Sequence, residues 1–179
     1  MKVRNNILIK VEDSDIVNGT FQIPNNITII AYHCFFDMSK LEYIIIPQNV
    51  TEIQTYAFEK CSSLTRIEFE NKNCKLETGI FSNCYSLEKV ILPENLKSIF
   101  LATFWNCKKL KFIDIPNTVQ IIQDGAFFKC LELEKIKISE NVKKISFDQF
   151  VHCENLNKIQ WKGKIYTYQD LIEYKYFEV

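Results

Sequence analysis

Apolar residues recur along this chain in a fixed pattern of 23 residues. The columns of the pattern stay in register over six units, and no insertion is needed to align them. A fixed period of about 20 to 50 residues indicates a repeat protein in which each unit packs against the next. The phenylalanine column is Phe35, Phe58, Phe81, Phe104, Phe127 and Phe150, and the apolar column nine residues later is Ile44, Ile67, Val90, Ile113, Ile136 and Ile159.

The apolar spacing changes within each unit, and each spacing predicts a different element. The segment I-x-I alternates with period two, so it predicts a short strand with one buried face. A proline ends this strand in four units, because it has no N–H for a sheet ladder. V-x-x-I predicts a second short strand, and A-F-x-x-C-x-x-L has the three-residue spacing of a helical turn. Stacked units therefore predict a solenoid with a parallel sheet along one side.

Neither end of the chain carries the repeat, and we expect both ends to cap the stack. Residues 1–17 form the predicted N-terminal cap, a β-hairpin for which Asn18-Gly19 is the turn signal. Residues 18–161 hold six 23-residue repeats plus a seventh strand. Residues 162–179 form the predicted C-terminal cap, in which a short helix beginning at Thr167 or Asp170 places Leu171, Ile172 and Tyr174 over the last rung.

The unit L-x-x-I-x-I-P-x-x-V-x-x-I-x-x-x-A-F-x-x-C resembles that of the BspA-like branch of the leucine-rich repeat proteins. The resemblance implies an α/β repeat: a right-handed leucine-rich-repeat solenoid, with a parallel β-sheet on the inner face and short strands and helical turns on the outer side. It also implies surface binding, adhesion or protein–protein contact. The chain departs from the family at Glu70 and Asn73, which replace the proline and valine of the third unit. The usual glycine after the outer Ile is replaced by Gln54, Glu77, Phe100, Gln123 and Ser146.

Composition and charge limit the classes of partner and the cellular compartments that suit this chain. Lys and Arg together number 22, as do Asp and Glu, so no net charge draws the chain to nucleic acid. The first residues contain no apolar run long enough for a signal peptide, and no segment has the roughly 18 apolar residues of a membrane span. Seven cysteines without an export signal predict reduced thiols in a cytosol. We therefore expect a cytoplasmic protein, with a cell-surface or secreted one as the alternative.

Candidate chemistry is sparse. Most of the cysteines share one column with Met38, so we expect buried thiols and neither disulfides nor metal ligands. His33 and His152 differ in repeat phase, and no phosphate loop or nucleophile motif is present. We predict a protein that is not an enzyme and that has no cofactor and no metal.

The inner face carries the predicted partner site. Residues between the buried positions of I-x-I point out of the sheet, and stacking arranges them in columns. These columns combine cations, aromatic rings and isoleucines, which suits binding to another protein, although interleaved acids offset part of the charge. The predicted surface is Tyr43, Ile45, Arg66, Glu68, Lys89, Ile91, Phe112, Asp114, Lys135, Lys137 and Lys158.

A rival surface on the outer side consists of Phe36, Phe100, Trp105 and Phe128. These rings either fold over the turns or contact a partner or a second copy of the chain. We expect a non-catalytic protein-binding module: an intracellular adaptor, effector or macromolecular inhibitor that uses the inner face. The alternative is a cell-surface adhesion or host-interaction protein of the BspA-like type. A single-stranded nucleic-acid binder is a third hypothesis, weakened by the zero net charge.

Overall fold

Two sets of short parallel strands run along a solenoid of about 7 turns in the computed structural model, which describes residues 1–178. A hairpin of β1 (Lys2–Arg4) and β2 (Ile7–Lys10) comes first. From β3 to β14, odd-numbered strands lie on the outer face and even-numbered strands on the inner face. They are β3 (Ile29–Ile30), β4 (Tyr43–Ile46), β5 (Glu52–Ile53), β6 (Arg66–Phe69), β7 (Lys75–Leu76), β8 (Lys89–Ile91), β9 (Ser98–Ile99), β10 (Phe112–Asp114), β11 (Ile121–Ile122), β12 (Lys135–Lys137), β13 (Lys144–Ser146) and β14 (Lys158–Trp161).

The core is built from the apolar columns of the repeat. All six phenylalanines of the Phe column are fully buried, and consecutive rings lie between 4.7 and 6.1 Å apart at their centroids. Buried aromatic pairs at this distance stabilise the fold beyond the apolar area they bury. The rings form a continuous ladder through the stack, as the sequence pattern predicts.

The turns that join the outer strands to the next inner strand are mostly non-helical. In the second rung, Tyr56 and Lys60 adopt φ values of +55° and +61°. Each left-handed residue changes the direction of the chain. The backbone amides of the turn therefore donate alternately to a carbonyl of the next rung and to a carbonyl of the same turn. Phe58 N donates to Ile80 O in the next rung at 3.1 Å, whereas Cys61 N donates to Phe58 O within its own turn. The turn side therefore adds a third set of contacts between rungs.

Helices are few. The described residues contain one α-helix, α1 (Tyr168–Tyr174), and two 3-10 turns, Asp13–Asp15 and Phe147–Gln149. Within residues 1–178, no helix has both the length and the apolar character needed to cross a bilayer.

The N-terminal hairpin turns at Asn5-Asn6, where both residues have positive φ. The prediction that Asn18-Gly19 turns this hairpin is therefore wrong. Asn18-Gly19 makes a separate tight turn that closes a bridge between Val17 and Thr20. Asparagine tolerates the left-handed conformation, so two adjacent asparagines supply the two positive-φ residues that this hairpin turn requires.

The C-terminal segment covers the last rung. β15 (Lys164–Tyr166) pairs antiparallel with β14, and β16 (Tyr176–Glu178) pairs antiparallel with β13. α1 begins after Thr167, whose hydroxyl accepts a hydrogen bond from Asp170 N. Leu171 is fully buried, but Ile172 and Tyr174, predicted to cover the rung with it, are exposed. The helix therefore docks through Leu171.

Neither sheet is continuous. The inner strands form one group of β4, β6 and β8 and a second group of β10, β12, β14 and β15. On the outer face, β7 does not pair with β9, and β11 does not pair with β13. The rung that contains β8 and β9 therefore pairs with the preceding rung on the inner face and with the following rung on the outer face.

Candidate binding surface on the inner face

Strand register aligns the predicted inner-face residues. Tyr43 pairs with Arg66 and Arg66 with Lys89, so these three side chains follow one another along one column. Beyond the interruption, the same column continues through Phe112, Lys135 and Lys158. The neighbouring column holds Ile45, Glu68, Ile91, Asp114 and Lys137. The structure thus gathers all eleven predicted residues on one face.

Internal contacts offset part of the charge on this face. Arg66 forms an ion pair with Glu68, and its guanidinium lies 5.6 Å from the centroid of the Tyr43 ring. Lys137 Nζ lies 3.6 Å from Asp114 Oδ2. Exposed pairs of this kind contribute little to stability, about 0–1 kcal/mol, so they can be exchanged for contacts with a partner.

The remaining cations of the face form no ion pair within residues 1–178. Lys135 Nζ lies 5.2 Å from the centroid of the Phe112 ring. Lys89 and Lys158 make no ion pair with any residue of the described chain, 1–178. The eleven residues hold five cations and two acids, and the flanking Glu88 and Glu134 offset part of the remaining positive charge.

Three large apolar side chains of this face are open to solvent. Ile45 is 41% exposed, and Ile91 and Phe112 are each 45% exposed. Each lies on a strand beside charged residues, and none is needed for the core, which fills the opposite side of the same strands. Exposed apolar groups clustered with cations on a rigid sheet are typical of a protein-contact surface.

A groove of about 540 Å³ opens where the inner sheet is interrupted, and it runs along β8 and β10. In the other inner pairs, two successive amides donate to one carbonyl: Glu134 N and Lys135 N both donate to Lys111 O. The equivalent amides, Lys111 N and Phe112 N, have no such bond to Glu88 O in the part of the chain described. The groove is lined by residues 89–92, 94–95, 112–117 and 137.

The outer aromatic residues pack mainly against one another. The Trp105 and Phe128 rings stack at 3.9 Å, and Phe128 meets the His152 ring edge-on at 5.3 Å. All four residues of the rival surface, Phe36 and Phe100 included, are half-buried. Phe100 also lines an apolar groove of about 670 Å³ between β7 and β9. These contacts give the outer rings a structural role that the inner-face isoleucines lack.

The cysteine column has a role that the sequence analysis missed. Each thiol of the column donates to the carbonyl of a phenylalanine in the preceding rung: Cys107 Sγ lies 3.2 Å from Phe81 O, and Cys153 Sγ lies 2.9 Å from Phe127 O. All seven cysteines are free and buried. Burial raises the pKa of the Cys107 thiol because ionisation would place a charge in the apolar core. The sequence did contain a signal for these bonds, because each cysteine of the column stands 26 residues after a phenylalanine of the Phe column.

The histidines lie in different rungs. His33 Nε2 lies 2.9 Å from Glu59 Oε2, and the His33 ring stacks on Tyr32 at 3.9 Å. His152 contacts Phe128 instead. Within residues 1–178, no group of three His, Cys, Asp or Glu side chains is arranged to hold a metal ion.

Taken together, the 23-residue columns, the parallel inner sheet and the stacked turns define a leucine-rich-repeat solenoid. The model of the BspA type leucine rich repeat region matches six copies, over residues 17–113 and 75–174. The chain belongs to this family. No curated protein matches it significantly.

Solved bacterial structures share the fold. A leucine-rich repeat protein of Treponema pallidum (T. pallidum) is 27% identical, with a TM-score of 0.72 over 80% of this chain and 69% of that protein. One from Bacteroides ovatus is 28% identical, with a TM-score of 0.63 over 89% of this chain and 47% of that one. The pneumococcal vaccine antigen PcpA, 20% identical, has a TM-score of 0.63 over 83% and 42% of the two chains. The chain thus spans less than half the length of the last two.

Proposed function

We propose that this chain is a non-catalytic protein-binding module that acts at a cell surface and contacts its partner through the inner strand face. Its support is membership of a family of typically surface or adhesion-type repeat proteins, together with the chemistry of that face. The observation that carries the proposal is the exposure of Ile45, Ile91 and Phe112 beside unpaired cations.

A rigid sheet suits this task. The strands hold each side chain at a fixed spacing of about 4.8 Å from its neighbour, so little conformational entropy is lost when a partner docks. Apolar side chains supply contact energy, and Lys89 and Lys158 steer an oppositely charged surface into place. Binding, unlike catalysis, requires no further chemistry from the face.

Family membership favours the surface alternative over the intracellular adaptor, effector or inhibitor. The number of free cysteines was the reason to expect a cytosolic protein, but their burial in the structure removes that reason. All seven thiols are at most 2% exposed, so an oxidant outside the cell reaches them no more easily than one inside. Reduced cysteines are therefore compatible with either compartment.

Two measurements test the proposal. The first is labelling of intact source cells with a membrane-impermeant reagent, which should mark the protein. The second is affinity capture from a surface extract, using the chain beside a variant with Arg66→Glu, Lys89→Glu and Lys135→Glu. We expect one stoichiometric partner that this variant loses and that a control with Lys40→Glu, Lys109→Glu and Lys143→Glu retains.

Each of the two measurements has an outcome that would contradict the proposal. A protein that stays unlabelled on intact cells and is recovered with a cytosolic partner would restore the intracellular adaptor. A partner retained by the inner-face variant and lost on replacement of Trp105 or Phe128 would move the site to the outer aromatic side.

A further inference from the structure

The groove between β8 and β10 offers backbone groups that a partner can use. Within the described residues it is the one place on the inner face where neighbouring strands do not pair. Lys111 N and Phe112 N therefore lack the acceptor that their equivalents have in other rungs. β8 and β10 still lie side by side, too close for another strand to pair between them, but a carbonyl group of a ligand can accept a hydrogen bond from either amide.

Apolar side chains stand on both strands of the same groove. Ile91 belongs to β8 and Phe112 to β10, and each has nearly half of its surface in solvent. An apolar side chain placed between them would be covered from two sides. The lining therefore favours a ligand with at least one aliphatic or aromatic side chain.

Among the residues that line the groove, the one charge without an ion pair within residues 1–178 is positive. Asp114 is offset by Lys137, and Glu94, at one end of the groove, lies 3.0 Å from Lys72. Lys89 has no counter-ion within residues 1–178. A carboxylate on the ligand would supply the missing partner as a charge-assisted hydrogen bond.

We infer that the groove binds an extended acidic segment of the partner protein, with an apolar side chain between Ile91 and Phe112 and a neighbouring carboxylate on Lys89. The inference rests on the proposed function and specifies the chemistry of its partner. The volume of about 540 Å³ is large enough for a short stretch of chain. A sulfated glycan would also be attracted by the lysines, but it has no apolar side chain to place between Ile91 and Phe112.

The test uses the full chain and a fluorescein-labelled peptide, Gly-Asp-Leu-Asp-Leu-Asp-Gly, followed by fluorescence anisotropy. Its analogue with Asn in place of each Asp has the same shape without the charge. We expect the Asp peptide to bind and the Asn analogue to bind at least about tenfold more weakly, since hydrogen bonds to charged groups are the stronger ones. Hydrogen exchange of the Lys111 and Phe112 amides should slow when the Asp peptide is present.

Matched variants locate the peptide. Ile91→Ser should weaken binding about tenfold, because it removes one wall of the apolar site. Ile121→Ser is its control, since Ile121 is 54% exposed on the outer strand β11. Lys89→Gln should weaken binding about fivefold, whereas Lys75→Gln, an exposed lysine of β7, should leave it unchanged.

Several outcomes overturn the inference. These are equal binding of the Asn analogue, an equal loss in Ile121→Ser, or unchanged amide exchange. Binding of a sulfated oligosaccharide in place of either peptide would assign the groove to an anionic glycan. If a captured surface partner is lost with Arg66→Glu but retained with Ile91→Ser, the proposed function stands and the groove inference fails. A partner indifferent to every inner-face substitution refutes the proposed function itself.

Discussion

Raising the pH from 7 to 9.5 should lower the free energy of unfolding by about 4 kcal/mol, because buried thiols ionise only in the unfolded chain. Desolvation raises the pKa of Cys34 and of Cys74 to about 12, from an ordinary value of 9.0. Burial also raises the pKa of Cys61, Cys107 and Cys130 well above that value. At pH 9.5 these five thiols stay protonated in the folded protein.

The magnitude follows from proton linkage. A thiol of pKa 9.0 is about three quarters ionised at pH 9.5, so each of the five costs the folded state ~0.8 kcal/mol relative to neutral pH. The folded chain then binds more protons than the unfolded chain. This stability is therefore fully present well below pH 9 and is lost progressively as the pH rises through and beyond that value. A loss of about 4 kcal/mol is large beside the 5–15 kcal/mol typical of a domain.

Urea unfolding followed by circular dichroism, with a phosphine reductant and at several pH values up to 9.5, measures this loss. The upper limit of pH 9.5 lies below the ordinary pKa values of free tyrosine and lysine side chains, which are near 10. Cys34→Ala is the control: it installs the alanine found at the equivalent Ala57 and Ala126, and should reduce the loss by ~0.8 kcal/mol. A free energy of unfolding at pH 9.5 within about 1 kcal/mol of its value at pH 7 would refute the reasoning.

Three further changes are predicted to act through the packing, each measured as a change in the urea unfolding free energy. Gly79→Ala should cost about 2–4 kcal/mol, because its Cβ would overlap the Tyr56 ring at a left-handed φ. Gly125→Ala, with no contact under 3.4 Å, should cost only about 1 kcal/mol, and equal losses would contradict the overlap. Phe104→Ala should cost about 3–5 kcal/mol by opening the ring ladder, and a loss under about 1 kcal/mol would contradict it. Thr167→Ala should cost about 1 kcal/mol and fray α1, so an unchanged stability would show that the cap is dispensable.

The repeat itself was predictable because every rung obeys the same packing rule. The ring of Phe81 packs against the equivalent rings one rung away on either side, so a column in the sequence predicts contacts between rungs. The same logic placed Arg66 and Lys89 side by side on the inner face. Columns predict neighbours well, and they predicted both the core and the candidate surface.

What columns do not predict is a change between one rung and the next. Gln54 and Gln123 each accept a hydrogen bond from a backbone amide of the preceding rung, but Phe100 stands at the equivalent position and has no acceptor. The outer strands β7 and β9 lose their pairing at this rung boundary. The inner face breaks instead between β8 and β10, whose residues keep the repeat pattern, so the groove there was not visible in the sequence.

The thiol bonds give the stack a direction. Each cysteine of the column reaches an acceptor 26 residues earlier in the chain, as Cys61 does at Phe35 O. On the ribosome, every emerging rung therefore meets a partner that has already been synthesised, and assembly can follow the order of translation. A tandem copy of one unit would bring both its own thiol and the carbonyl for the next. Gene duplication can thus lengthen the molecule, and the area of its inner face, in steps of 23 residues.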